Sequence, residues 1–257
     1  MSKDKIIGIV GGVGPYTGTD LAEKIFNETC AGKDQEHLPV ALLSLPHKIT
    51  DRTEYLLGKT KENPAYAVSE VISMLEMLGS YAIGIPCNTM HVPEIFNTIQ
   101  SELDKKGSKV HLVNMLDEVV NFIETHYPNM RSVGVLSTTG TYQSEIYIKK
   151  LAARGYKAIP VDQELQEKIH QSIYHPKYGI KAVSNPVTKD AKNILVNGIR
   201  YLEKEGAEGI ILGCTEIAFA LPYKILNDLP LFDATYILAR ALIGKTYPEK
   251  LRPYSVE

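Results

Sequence analysis

An α/β fold in two pseudo-symmetric domains, each a parallel sheet flanked by helices, is what this 257-residue sequence predicts. Two observations carry the expectation. Short apolar runs alternate with longer helical stretches along the chain, the pattern of strands joined by crossover helices. Two motifs far apart in the chain also recur at nearly one spacing, as they would if the second half repeated the first.

Strands are expected at 6–10, 38–45, 81–86, 109–113, 132–136, 156–161 and 209–212. Helices are expected at 19–29, 64–78, 92–105, 116–126, 142–154, 165–173, 186–205 and 234–243. Pro64 and Pro93 suit the first turn of a helix, where a missing N–H costs little. The apolar run at 6–10 is too short, and too broken by Gly8, Gly11, Gly12 and Gly14, for a signal peptide. It reads as the first strand. The first domain is expected over 1–114, completed by 223–257, and the second over 115–222. The connections near 114–117 and 221–232 would form a hinge that closes over the substrate.

Composition narrows the function classes. Hydrophobic residues make up 44% and charged residues 23%, as in an ordinary globular protein, and the formal net charge is −2. No basic stripe with interleaved aromatics suggests nucleic acid, and no apolar run approaches the roughly 20 residues that span a bilayer. Three cysteines, with no C-x-x-C and no metal-ligand spacing, point to a reducing cytoplasm and to no metal site.

The repeat places the chemistry. Residues Ile7-Gly8-Ile9-Val10-Gly11-Gly12-Val13-Gly14-Pro15-Tyr16 align without a gap on Val133-Gly134-Val135-Leu136-Ser137-Thr138-Thr139-Gly140-Thr141-Tyr142. Further on, Ala82-Ile83-Gly84-Ile85-Pro86-Cys87-Asn88-Thr89 aligns on Gly209-Ile210-Ile211-Leu212-Gly213-Cys214-Thr215-Glu216. Each half thus supplies a Gly/Thr-rich turn after its first strand and a cysteine after a later one. Ligands of open parallel sheets bind outside the carboxyl ends of strands. Two such halves facing each other would set Cys87 and Cys214 across one cleft.

Two matched acid/base groups are what inversion at a C–H centre needs. Both cysteines precede expected helix starts, where free N–H groups and short polar side chains could hold one sulfur as thiolate while the other stays a thiol. Cys30 has no partner motif and reads as a small buried apolar residue. Charge developing on a substrate carboxylate also needs stabilising. The N–H groups of Gly12, Val13 and Gly14, with Asn88, Thr89, Thr138, Thr139 and Thr215, are placed for that. A second carboxylate would call for a cation, and Arg52 can bind one bidentately. Glu216 either orients a thiol or caps a helix. His47 and His91 read as structural.

The segments Gly11-Gly12-Val13-Gly14-Pro15, Asp51-Arg52-Thr53, Pro86-Cys87-Asn88-Thr89-Met90-His91 and Gly213-Cys214-Thr215-Glu216 resemble the motifs of the aspartate/glutamate racemase family, in the family's order. The resemblance spans nearly the whole chain. It implies a racemase without a cofactor, a two-thiol proton transfer, a dicarboxylic amino acid such as aspartate or glutamate as substrate, and a homodimer. It also implies a substrate-binding lysine at Lys181, although the His175-Pro176-Lys177 insert leaves Lys177 as a competitor. Tyr16 departs from the apolar residue common in the family turn, which bears on aspartate against glutamate.

Other readings compete. A dinucleotide-binding oxidoreductase would use Gly12-Val13-Gly14, but Thr17 stands where the third glycine belongs. The second strand also ends in Ser44-Leu45-Pro46-His47, without the acidic residue that would hold ribose. A two-domain amino-acid binder would share the fold, but binding needs no pair of thiols. Within the superfamily, single-thiol decarboxylases fit less well than racemases, and hydantoin racemase and maleate isomerase remain alternatives.

Overall fold

The computed structural model describes residues 5–226 and 228–255. The chain divides into two compact units: residues up to Glu118 with Thr235–Ser255, and Val119–Ala234.

The first unit opens with β1 (Ile6–Gly11), α1 (Pro15–Asn27), β2 (Val40–Ser44), α2 (Arg52–Leu56), α3 (Ala65–Met77), β3 (Ser80–Gly84), α4 (Pro93–Lys105) and β4 (His111–Leu112). Helix α5 (Met115–His126) leads to β5 (Ser132–Ser137), α6 (Thr139–Ser144), α7 (Ile146–Ala152), β6 (Lys157–Ile159) and α8 (Gln163–Tyr174). There follow α9 (Lys189–Lys204), β7 (Ile210–Gly213), α10 (Ile217–Ala220), β8 (Ile225–Leu226), β9 (Leu229–Asp233) and α11 (Ala234–Thr246).

The two sheets run in matching order. The first is β2-β1-β3-β4 and the second β6-β5-β7-β9-β8. All pairings are parallel except the terminal β8–β9 hairpin. The central strands are buried nearly throughout, which is why they read as unbroken apolar runs. In the first unit Val10, Ile83 and Ile85 pack against Val68, Ile72 and Leu75 of α3 and Ile95 and Ile99 of α4. In the second, Leu136, Ile210 and Leu212 pack with Ile169 and Ile173 of α8 and Leu195, Ile199 and Leu202 of α9. Each such side chain stabilises by roughly 1.5–3 kcal/mol relative to exposure.

Several expectations need correction. The segment 223–234, assigned to the first domain and partly to a hinge, belongs to the second unit. Strand β9 pairs parallel with β7 and closes that edge, and β8 folds back on it with Pro230 opposite Ile225. The helix expected at 142–154 is two helices, because Glu145 adopts a left-handed conformation (φ 54°) and ends α6. The first helix starts at Pro15 rather than 19, with the proline in its first turn. Helix α9 starts at Lys189 rather than 186, because the Thr188 side chain accepts the Ala191 N–H at 3.2 Å and caps it. Cys30 is exposed rather than buried. Among the described residues no helix is long and apolar enough to cross a membrane.

The C-terminal segment is fastened to the first unit. The Arg252 N–H donates to the Glu28 carbonyl at 2.9 Å and the Cys30 N–H to the Lys250 carbonyl at 2.7 Å. Arg240 donates to the Glu28 carboxylate and, at 3.0 Å, to the Arg252 carbonyl.

Candidate active site

In the first unit the chain leaves β1 through Gly11 and Gly12. Gly12 has φ 85°, and a Cβ there would lie 2.7 Å from the Pro46 nitrogen, so only glycine fits. The turn then enters α1 at Pro15. Thr17 fastens this turn to the cysteine segment. Its hydroxyl lies 2.7 Å from the Gly14 carbonyl and 3.1 Å from that of Pro86, and its one proton serves both. The residue that spoils a dinucleotide fingerprint is thus fully buried and ties the turn to the residue before Cys87. Sequence reasoning did not assign it that role.

Arg52 opens α2, whose cap is Asp51, accepting the Glu54 N–H at 3.0 Å. Its side chain is buried, and the guanidinium donates to the Val13 carbonyl. A surface position for this arginine is therefore ruled out. The structure brings together Arg52 and the Gly12–Gly14 turn.

Cys87 lies beyond β3 in extended backbone (φ −157°) and is 8% exposed. Its carbonyl accepts the Met90 N–H at 3.1 Å and opens a single 3-10 turn over Asn88–His91, after which the expected helix begins at Pro93. Asn88, Thr89 and His91 are all buried. The His91 Nε2 lies 3.1 Å from the Ile85 carbonyl and its ring packs on Phe96, a structural arrangement. His47 is exposed, as is much of Tyr16.

The second unit repeats the layout with different side chains. Ser137 and Thr138 leave β5, and Thr138 is the N-cap of α6 without making a side-chain cap bond. Its hydroxyl is buried with no hydrogen-bond partner, and Thr139 is partly exposed. The Thr139 N–H lies 3.4 Å from His170 Nδ1. Gln166 of α8 was not foreseen. It is buried, its amide donates to the Ser137 carbonyl at 2.9 Å, and its carbonyl oxygen has no partner. Its place on the buried face of α8, which it shares with Ile169 and Ile173, was the available signal.

Cys214 follows β7 and is 7% exposed. Its thiol donates to Glu216 Oε2 at 3.0 Å, the Thr215 hydroxyl lies 3.2 Å from the same oxygen, and Lys181 Nζ donates to Oε1 at 2.7 Å. Lys181 reaches this point because the chain folds back after α8: the Ile180 N–H bonds the Ser172 carbonyl and the Lys181 N–H that of Ile173. Gly179 permits the fold, since a Cβ there would sit 2.5 Å from the His175 nitrogen. The ammonium also lies 5.1 Å from the centre of the Tyr174 ring. Lys177 is exposed, and the insert before Lys181 closes on itself by stacking His175 on Tyr178.

Charge divides unequally over these groups. Burial would raise the Glu216 carboxyl, but the Lys181 charge and the hydrogen bonds from Cys214 and Lys181 outweigh it and hold the group down at about 2. Burial pushes the Cys214 thiol well above the ordinary thiol range, and the Glu216 carboxylate adds to this against the opposing Lys181. Tyr147, buried beside Cys214, is raised by burial as well. A helix start follows Cys214 as expected, but α10 is a single four-residue turn and a carboxylate accepts the thiol proton, so the surroundings favour the thiol.

Among the described residues no group of three or more His, Cys, Asp or Glu side chains could hold a metal ion. A cavity of about 560 Å³ opens in the first unit beside β4, lined by residues including His111, Asn114, Glu118 and Lys245; no candidate residue lines it.

Comparison with known proteins gives the family. The family model described as Asp/Glu/Hydantoin racemase matches residues 10–242. The chain is 25% identical over 246 residues to the broad specificity amino-acid racemase RacX of Bacillus subtilis, covering 93% of this chain and 97% of that one. The structure of Picrophilus torridus aspartate racemase is similar at a TM-score of 0.78 and 29% identity, over 94% of each chain. An aspartate racemase homologue from Pyrococcus horikoshii gives 0.70 and 26%, over 94% and 99%. The chain belongs to the Asp/Glu/Hydantoin racemase family, which makes it an isomerase.

Proposed function

We propose that the protein interconverts L- and D-aspartate, or glutamate, by proton transfer between the substrate α-carbon and two thiols, Cys87 and Cys214, with no cofactor. One observation carries this reading. The two cysteines follow topologically equivalent strands, β3 and β7, each next to the opening strand of its sheet. A thiolate on one face takes the α-proton and a thiol on the other face returns one, so the proton count is unchanged over the turn. Roles exchange with direction.

The remaining groups stabilise charge. The N–H groups of Gly12, Val13 and Gly14, with Asn88 and Thr89, serve the reacting carboxylate from the Cys87 half, and Thr138, Thr139 and Thr215 from the Cys214 half. Thr138 supports this, since its buried hydroxyl lacks a protein partner. Arg52 and Lys181 are the cations for a dicarboxylic substrate, and Glu216 fixes the Cys214 thiol. We read the chain as a cytoplasmic homodimer.

The test is incubation with L- and D-aspartate and glutamate in D₂O without pyridoxal phosphate, following the α-hydrogen by NMR. Exchange accompanied by racemisation is expected. Binding of aspartate with no exchange of its α-hydrogen would leave a binding protein instead.

A further inference from the structure

The hydrogen-bond chain Lys181–Glu216–Cys214 has no parallel in what the cysteine pair alone requires. Its parts differ in access. Glu216 has a side chain only 7% exposed, whereas that of Lys181 is 25% exposed, so a ligand can reach the ammonium without disturbing the carboxylate. With Glu216 held as a carboxylate by Lys181, it can only accept, and the bond from Cys214 at 3.0 Å then carries its proton on the sulfur.

We infer that Lys181 and Glu216 form a substrate-operated switch on Cys214: the pair holds it as a thiol at rest, and a substrate's second carboxylate releases it by drawing Lys181 away. The inference rests on the racemase reading and on Lys181 meeting that carboxylate. With Lys181 paired to the ligand, Glu216 loses its nearest positive charge and becomes a stronger base. The proton on Cys214 Sγ then passes to Glu216 Oε2, leaving a thiolate beside a neutral carboxylic acid. No other bond is made or broken, and the proton returns to sulfur when Lys181 does. Lys181 lies beside Glu216 and Tyr147 on α7 beside Cys214, and the Lys181 ammonium sits over the ring of Tyr174 at the end of α8. The depression of the Glu216 carboxyl and the elevation of the Cys214 thiol have the directions that a proton resting on sulfur requires.

The switch makes Glu216 a positioning residue and ties turnover to a second carboxylate on the substrate. Two variants test it. In Glu216→Gln, which keeps the shape but removes charge and basicity, alkylation of Cys214 by iodoacetamide at pH 8 should rise about tenfold, one unit of thiol pKa. The exposed Cys30 serves as internal reference. Turnover number for aspartate should fall about 100-fold in the same variant, the scale of a lost acid/base group. A thiol that reacts faster in an enzyme that turns over more slowly is not what a purely structural residue gives. In Lys181→Met, where Glu216 has no counter-charge to lose, α-hydrogen exchange of alanine should rise relative to that of aspartate. Equal alkylation rates in wild type and Glu216→Gln would overturn the inference. So would a Lys181→Met variant that only raises KM for aspartate and still ignores alanine. The alkylation arm reads the thiol directly, so a wild-type protein inert toward every amino acid would fail the racemase reading separately.

Discussion

The Cys87 half and the Cys214 half share a strand order and the place of the cysteine, yet they surround the sulfur with different chemistry. After β3 the neighbours are an amide and a hydroxyl in a 3-10 turn, and the local charge is a buried guanidinium bonded to the glycine turn. After β7 the thiol donates to a carboxylate that is itself paired with an ammonium. The two halves thus share a backbone plan and differ in their electrostatics.

The comparison breaks most sharply if either sulfur is removed. Cys87→Ala and Cys214→Ala should each lower racemisation by about 10³-fold or more, within and beyond the range of a single acid/base group, as read from circular dichroism of aspartate solutions. Arg52→Lys comes next. A lysine cannot hold the Val13 carbonyl and a carboxylate with one planar fork, so kcat/KM for aspartate should drop about 100-fold, while the second half's thiol reactivity stays unchanged.

Acid stability isolates the second half. The Glu216 carboxyl is held at about 2 in the folded chain against an ordinary 4.5, so the unfolded chain binds the extra proton between those values. Its contribution is complete above about 4.5 and is lost as pH falls toward 2. The loss is on the order of 3 kcal/mol. Urea unfolding of Glu216→Gln over that window should show a correspondingly shallower decline than wild type. The smallest effect is expected at Gly179→Ala, where the new methyl meets the backbone of His175. Roughly 1–3 kcal/mol of stability should be lost, with a higher KM for aspartate as Lys181 is displaced.

Much of this layout was legible from residues alone. The aligned turn and cysteine segments gave the two-sheet plan, and all seven expected strands are present; the central β1 and β7, buried nearly throughout, left unbroken apolar runs. The β8–β9 hairpin was missed because 221–232 read as a hinge; Pro230 stands in β9, opposite Ile225 of the short edge strand β8. Glu145 was misread because nothing local marks a left-handed glutamate inside an apolar helical pattern. Among the candidate residues, the cysteines and Arg52 were singled out by type and spacing, and Lys181 by the family resemblance. Thr17 and Gln166 were not, since their roles depend on carbonyls 69 and 29 residues away in sequence. The fold-back at Gly179 that separates Lys181 from Lys177 is likewise a matter of backbone approach, which spacing does not encode.

The most direct measurement follows α-deuterium entry into L- and D-aspartate separately, in Cys87→Ala and in Cys214→Ala. Each remaining thiol should exchange only the enantiomer whose α-proton faces it, returning deuterium to the same side, so the two variants should give mirror-image patterns without racemisation. If both variants label the same enantiomer, or if either still racemises at the wild-type rate, two thiols acting on opposite faces of one carbon cannot be the mechanism.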